Sequence, residues 1–184
     1  MSADIVGSTA YKASKTDNFT PEWAQIFGSF FDAFPSLLSS AYESLDDEYF
    51  KQAKNLKAWK FSGDEILFSV ELNDYVDALS HLAAFMKVLD DYPKNNWLAK
   101  SIPLRLKGTA WVAGFPVMNA VINSTDFPED YIGPSMDTGF RLAKFATPRK
   151  LVVSIELAHI LLNSAFEIHK EHLFTPKLDG RSRR

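Results

Sequence analysis

The stretch Trp59 to Val70, Trp-Lys-Phe-Ser-Gly-Asp-Glu-Ile-Leu-Phe-Ser-Val, leaves this chain few folds to choose from. Apolar and aromatic residues with strand-like composition flank Gly63-Asp64, a two-residue pair of the kind that joins antiparallel strands. A hairpin needs further strands to bury its apolar side, so the chain has to contain a sheet. The tip then stands at the rim of that sheet and carries Asp64, whose carboxylate can hold a hard cation with oxygen ligands and open water positions. Taken alone, an Asp in a turn is ordinary turn chemistry.

The start of the chain repeats the pattern. Asp4-Ile5-Val6 runs directly into Gly7-Ser8-Thr9, whose small residues let backbone amides approach a phosphate closely. Two carboxylates on two strand ends, beside an amide-rich turn, suit a pair of divalent cations clamped on a triphosphate. Composition is compatible with such a site and excludes several others. The chain has 184 residues, enough for one domain with a sizeable core, and a net charge of -3, which gives no reason to expect a nucleic-acid partner. Basic residues cluster only at Arg181 to Arg184, so residues 1–178 are expected to form the domain and 179–184 a basic tail. The absence of cysteine rules out disulfides, thiolate catalysis and Cys-ligated zinc, and fits a cytoplasmic location. No apolar run is long enough to span a membrane and the N-terminus has no signal-peptide pattern, so a soluble protein is expected.

Along the chain, apolar residues from Trp23 to Leu38 recur at helical spacing, with Thr20 as cap, Pro21 at the start and Pro35 as an expected kink or break. Asp46, Asp47 and Glu48 read as a solvated acidic turn. A second helix is expected over Asn73 to Leu89, carrying His81 without a metal-spaced partner. Asp90 to Lys100 reads as a polar loop, Ile102 to Val112 as a strand, and Asn119 to Pro128 as a loop or short irregular strand. Gly133-Pro134 opens a helix on which Asp137 and Arg141, four apart, share a face. The ordinary expectation for that pair is an intrahelical salt bridge. Arg149 to Ser154 reads as a buried strand, Ser154 as cap of a helix through Asn163, and Ala165 to Phe174 as a last strand. This order gives an α+β fold with a ferredoxin-like antiparallel sheet and helices packed on it.

Three blocks in this order carry a family likeness: Asp4 to Thr9, Lys60 to Glu65, and Asp130 to Arg141, followed by Leu151-Val152-Val153-Ser154. The sequence resembles the catalytic domain of class III nucleotidyl cyclases, the adenylate and guanylate cyclase homology domain. Trp59-Lys60-Phe61, Lys107 to Pro116 and Gly133 to Lys150 look most like the stand-alone bacterial pyrimidine cyclases of antiphage defence. The resemblance implies a phosphorus-oxygen lyase that turns a ribonucleoside triphosphate into a 3′,5′-cyclic nucleotide and pyrophosphate, with two Mg²⁺ or Mn²⁺ ions per site.

By that resemblance, Asp4, Asp64 and the backbone carbonyl of Ile5 ligate the metals, and Gly7, Ser8 and Thr9 receive the phosphates. Lys60 and Asp130 read the base, and Arg141 steadies charge in the transition state. Asp137 occupies the position of a ribose-orienting Asn, a departure that brings a negative charge near a triphosphate. Only Lys177 stands near where the family has a triphosphate-binding Lys. The resemblance also implies a homodimer with shared sites and a separate effector that binds the cyclic nucleotide. Bulky aromatics near the base favour cytidylate or uridylate cyclisation over adenylate cyclisation. A catalytically inactive dimerisation or nucleotide-sensing domain is a further alternative, as is a diguanylate cyclase, which Ser62-Gly63-Asp64-Glu65-Ile66 also resembles.

Overall fold

The computed structural model describes residues 1–15, 22–45, 56–126 and 128–174. The expected cap at Thr20 and Pro21, the acidic turn at Asp46 to Glu48, Lys177 and the basic tail lie outside the described residues. A five-stranded sheet is built from β1 (Ser2–Val6), β2 (Lys57–Ser62), β3 (Glu65–Ser69), β4 (Arg105–Ala110) and β7 (Leu151–Val153), in the order β2-β3-β1-β4-β7. All neighbours are antiparallel except β4 and β7, which are parallel. A separate two-stranded ribbon pairs β5 (Ala120–Ile122) with β6 (Asp130–Ile132). The helices are α1 (Ser8–Ala13), α2 (Glu22–Glu43), α3 (Tyr75–Tyr92), α4 (Pro134–Leu142) and α5 (Ile155–Phe174).

The hairpin forms where its composition places it. Gly63 has φ of 67°, while Asp64 is not among the residues with positive φ. That is the pattern of a type II′ turn, which takes glycine at its first central position and matches the twist of the strands it joins. Ser62 pairs with Glu65 to close the turn. Because side chains alternate along a strand, β1 sends Ala3 and Ile5 to the core and Ser2 and Asp4 to the other face.

The covered face packs on α2 and α3. Phe27, Phe30, Phe34 and Leu38 of α2 are buried at helical spacing, and they meet Phe85, Leu89 and Tyr92 of α3 and Phe68 of β3. Rings there sit edge to face, with Phe34 and Phe85 at 6.1 Å and Phe30 and Tyr92 at 5.4 Å. Gly108 lets β4 approach this layer, since a Cβ there would lie 2.4 Å from Leu89.

Three local expectations are corrected by this packing. Helix α2 runs unbroken through Pro35, because Phe34 and Leu38 bury the helix on both sides of it and that burial outweighs one lost backbone hydrogen bond. The polar loop expected from Asp90 to Lys100 is helical. Helix α3 continues to Tyr92 and passes through a wide turn into a short 3-10 segment, anchored by Trp97, which is 1% exposed between Phe30 and Tyr92. The last strand expected over Ala165 to Phe174 is instead the second half of α5. Ser154 caps this helix by accepting from the Leu157 amide, and Ser164 beyond the expected end donates to the Tyr75 carbonyl of α3. Among the described residues no helix is long and apolar enough to cross a membrane.

His81 on α3 is buried, with Nδ1 2.6 Å from the hydroxyl of Tyr42 on α2. Burial lowers its pKa to about 4, so the ring is neutral at pH 7. A base depressed below its unfolded value contributes stability above about pH 6.5, and that contribution is lost as pH falls toward 4. Urea unfolding across this range should show wild-type protein losing about 3 kcal/mol more than His81→Gln, by the linkage of pKa to stability. Parallel curves for the two proteins would refute a buried neutral imidazole.

Candidate active site

Asp4 and Asp64, the two acidic residues singled out in the sequence, lie next to each other along the backbone pairing at one end of the central strands. Asp4 is paired with Glu65 across β1 and β3, and the Ile5 amide donates to the Asp64 carbonyl at 3.2 Å. The Asp4 side chain is 24% exposed and lies 2.8 Å from the Lys107 ammonium. Burial raises the Asp4 carboxyl above its ordinary range, the Lys107 hydrogen bond and charge oppose that shift, and the like charge of Asp64 adds to it. Glu65 is raised as well, first by burial, with Asp4 and Asp64 contributing.

Lys107 was not among the sequence candidates. The signal for it is alternation along β4: Leu106 and Gly108 face the core, so Lys107 is a charged side chain projecting from the other face of an inner strand, next to Asp4. It also reaches the Ala143 carbonyl just beyond α4, at 3.4 Å.

The donor set of Asp4, Asp64 and the Ile5 carbonyl is chemically suited to a hard, oxygen-preferring cation, and like charges crowding a half-buried site are the condition such a cation relieves. Among the described residues no group of three or more His, Cys, Asp or Glu side chains converges to hold an ion unaided. Substrate oxygens and water would have to complete any coordination sphere here.

Gly7, Ser8 and Thr9 are the entry to α1 rather than an open turn. Gly7 has φ of 89°, in the left-handed region, and stands at the N-terminal boundary of the helix. Ser8 is buried and Thr9 exposed.

A second cluster lies around Lys60. Its ammonium donates to both carboxylate oxygens of Asp130, at 2.7 and 3.0 Å, and this holds the Asp130 carboxyl below its ordinary range. The Tyr131 amide donates to the same carboxylate at 2.9 Å. Aromatic rings surround the pair: Lys60 Nζ lies 4.2 Å from the Trp59 ring centre, and Trp59 packs on Tyr131 at 4.9 Å and Phe140 at 6.2 Å. Trp111 in turn contacts Phe140, and Phe115 contacts Tyr131. Trp59, Trp111, Phe115, Tyr131 and Met136 also line a cavity of about 760 Å³.

Position in this cluster is set by Asn119, another residue that sequence reading passed over. Its amide donates to the Gly114 carbonyl at 2.8 Å and to Ser135 Oγ at 3.1 Å, while its Oδ1 accepts from the Ser135 amide at 3.2 Å. Asn119 thus caps α4 from outside the helix, a role Gly133 cannot fill. Gly133 is required for the approach, since a Cβ there would stand 2.4 Å from Asn119 Oδ1.

Asp137 and Arg141 are both exposed on α4, and their side chains form no ion pair with each other or with any other described residue, contrary to the ordinary expectation for their spacing. Within one chain, no hydrogen bond or ion pair among the described residues joins the Asp4 group to Lys60, Asp130, Asp137 or Arg141.

No protein-family model matches the sequence, and no curated protein is detectably similar to it in sequence. Solved structures are similar in fold. The adenylyl cyclase CyaB from P. aeruginosa superposes with a TM-score of 0.62 at 13% identity, over 88% of this chain and 78% of that one. The guanylyl cyclase Cya2 gives a TM-score of 0.62 at 17% identity, over 87% of this chain and 75% of that one. The mixed α+β architecture, with its five-stranded sheet and packed helices, is therefore that of the class III cyclases.

Helix α4 sits close enough to the aromatic cluster to be tested directly. A Cβ on Gly139 would lie 2.2 Å from the Trp111 ring, so the indole has to move and Phe140 with it. Gly139→Ala should lower unfolding stability by about 1–3 kcal/mol, the usual cost of overpacking, and change the near-UV circular dichroism of the rings. Unchanged spectrum and stability would contradict this packing.

Proposed function

We propose that this chain is a nucleotidyl cyclase, converting a ribonucleoside triphosphate to its 3′,5′-cyclic monophosphate and pyrophosphate. The observation that carries the reading is the meeting of Asp4 and Asp64 at one end of β1 and β3, on the architecture that adenylyl and guanylyl cyclases share. In the reaction the ribose 3′ oxygen bonds to the α-phosphorus, the bond from that phosphorus to the β-phosphate oxygen breaks, and the hydroxyl proton passes to water. Pyrophosphate leaves with the electron pair.

Asp4, Asp64 and the Ile5 carbonyl would hold Mg²⁺ or Mn²⁺, two per site, which lower the pKa of the attacking hydroxyl and neutralise the leaving phosphates. The amides at Gly7, Ser8 and Thr9 stand at the same strand exit and are assigned to the phosphates. Arg141 presents a planar, permanently charged fork with no partner among the described residues, suited to the crowded phosphoryl oxygens. Asp137 offers only acceptors, so a contact from it to the ribose has to be with a hydroxyl proton.

No hydrogen bond or ion pair among the described residues joins the Asp4 group to Lys60, Asp130 or Arg141, which supports a site shared by two head-to-tail copies. Exposed Val117, Met118, Ile132 and Phe145 add apolar surface for such a pair. The aromatic rings around Lys60 and Asp130 favour a pyrimidine over a purine. On this reading the product, cyclic CMP or cyclic UMP, is a second messenger of antiviral defence read by a separate effector. A second reading, adenylate cyclisation, is favoured by Lys60 and Asp130 themselves, which also match the N1 and N6 edge of adenine.

Incubation with each of the four ribonucleoside triphosphates and Mg²⁺ or Mn²⁺, followed by chromatography, tests the proposal. A cyclic pyrimidine nucleotide is expected; cyclic AMP would select the second reading, cyclic di-GMP a diguanylate cyclase, and no product an inactive domain. Asp64→Ala should abolish turnover while leaving the fold and melting temperature close to wild type, since a turn carboxylate packs against little. Mixing Asp4→Ala with Arg141→Ala protein should restore part of the activity. Failure to complement, with both variants dimeric, would argue that the site is built within one chain.

A further inference from the structure

Lys107 is a cation already built into the acidic row. Its ammonium lies 2.8 Å from Asp4 Oδ2, and the two side chains are only 23% and 24% exposed, so solvent screens the pair weakly. Register fixes this contact, since Asp4 and Lys107 are direct partners across β1 and β4. The same ammonium has a second acceptor, the Ala143 carbonyl at 3.4 Å. Ala143 stands at the C-terminal boundary of α4, where unpaired carbonyls and the helix dipole favour a positive charge. Lys107 thus bridges the strand that carries Asp4 and the end of the helix that carries Arg141.

A divalent cation on Asp4 either takes the oxygen that Lys107 holds or sits beside an ammonium, and both weaken its binding. The site has few ligands with which to overcome this, because among the described residues no three acidic or imidazole side chains converge on one point. From this arrangement we infer that Lys107 is a positioning residue for Asp4: it holds the carboxylate in place of a divalent cation, competes with that cation, and passes to the Ala143 carbonyl when the cation binds. The inference rests on the cyclase reading, in which Asp4 is a metal ligand, and adds what controls its occupancy. Removing the lysine charge should make the site bind a cation more tightly, the opposite of what damage to the fold would do.

The probe is Mn²⁺ without nucleotide, with the free ion counted by electron paramagnetic resonance. Lys107→Gln removes the charge and keeps a donor for Asp4, while Lys107→Met removes both. Each should bind Mn²⁺ about tenfold or more tightly than wild type, the scale of one hydrogen bond to a charged group. Lys107→Arg keeps the charge and should bind no more tightly than wild type. Adding Asp4→Asn to Lys107→Gln should cancel the gain. Unchanged or weaker binding in both neutral variants, or no uptake by any of the proteins, would overturn the competition between Lys107 and the cation. Binding by Lys107→Arg as tight as that of the neutral variants would overturn a role for the charge. A gain that survives Asp4→Asn would place the ion away from Asp4 and overturn the inference as well. The four-triphosphate assay judges the cyclase reading separately: cyclic product without a gain in the neutral variants sinks this inference alone, and a gain without cyclic product sinks the reading.

Discussion

A carboxylate held half out of water on an inner strand has to be answered by a positive charge, and in this protein Asp4 is answered by Lys107 at 2.8 Å. Burial and the like charge of Asp64 both act against the ionised form, and the lysine opposes them. The arrangement follows from the register. Because Asp4 pairs with Glu65 on one side and Lys107 on the other, three charged residues fall in one row across β3, β1 and β4. A one-residue slip in either pairing would send the row into the aromatic layer under the sheet, and that layer is what prevents the slip. The hydrophobic core on one face therefore sets the electrostatics of the other.

The second cluster is organised by a different balance. Lys60 and Asp130 are partly exposed and come from segments far apart in the chain, so their ion pair alone contributes little to stability. What holds them is the packing around them: Trp59, Tyr131 and Phe140 enclose the pair, and Asn119 ties the β5–β6 ribbon to the start of α4. The result is a polar edge set in an apolar frame, which is the general form of a site for a flat, polar-edged ligand. The acidic cluster lacks such a frame and has an excess of negative charge. By its chemistry one group is suited to a hard cation, the other to a flat ligand with a polar edge.

Local sequence carried the parts of this structure that depend on neighbours a few residues away. The Gly63-Asp64 turn, the helices around Phe34 and Phe85, and the Gly133-Pro134 helix start are short-range in origin, and each of them forms, with α2 passing Pro35 unbroken. The failures are equally specific. Pro35 has the features of a break and Asp90 to Lys100 those of a loop, yet Phe34, Leu38 and Trp97 find partners on other elements that no local window contains. Ala165 to Phe174 reads as a last strand, yet it continues α5, whose Ser164 is fastened to α3. Asp137 and Arg141 share a helical face and still do not pair.

By itself the sequence determined which chemical groups are available and which of them stand at turns and strand ends: Asp4, Asp64, Lys60, Asp130 and Arg141 could all be named from the chain. Tertiary structure decided what each of them faces. Strand register put Lys107 beside Asp4, and the meeting of β2, β6 and α4 buried the Trp59 indole against Tyr131 and Phe140, its nitrogen without a hydrogen-bond partner among the described residues. The physical reason is range. Turn geometry and helical periodicity are set within a few residues, whereas desolvation and charge pairing depend on which distant segments the core brings into contact.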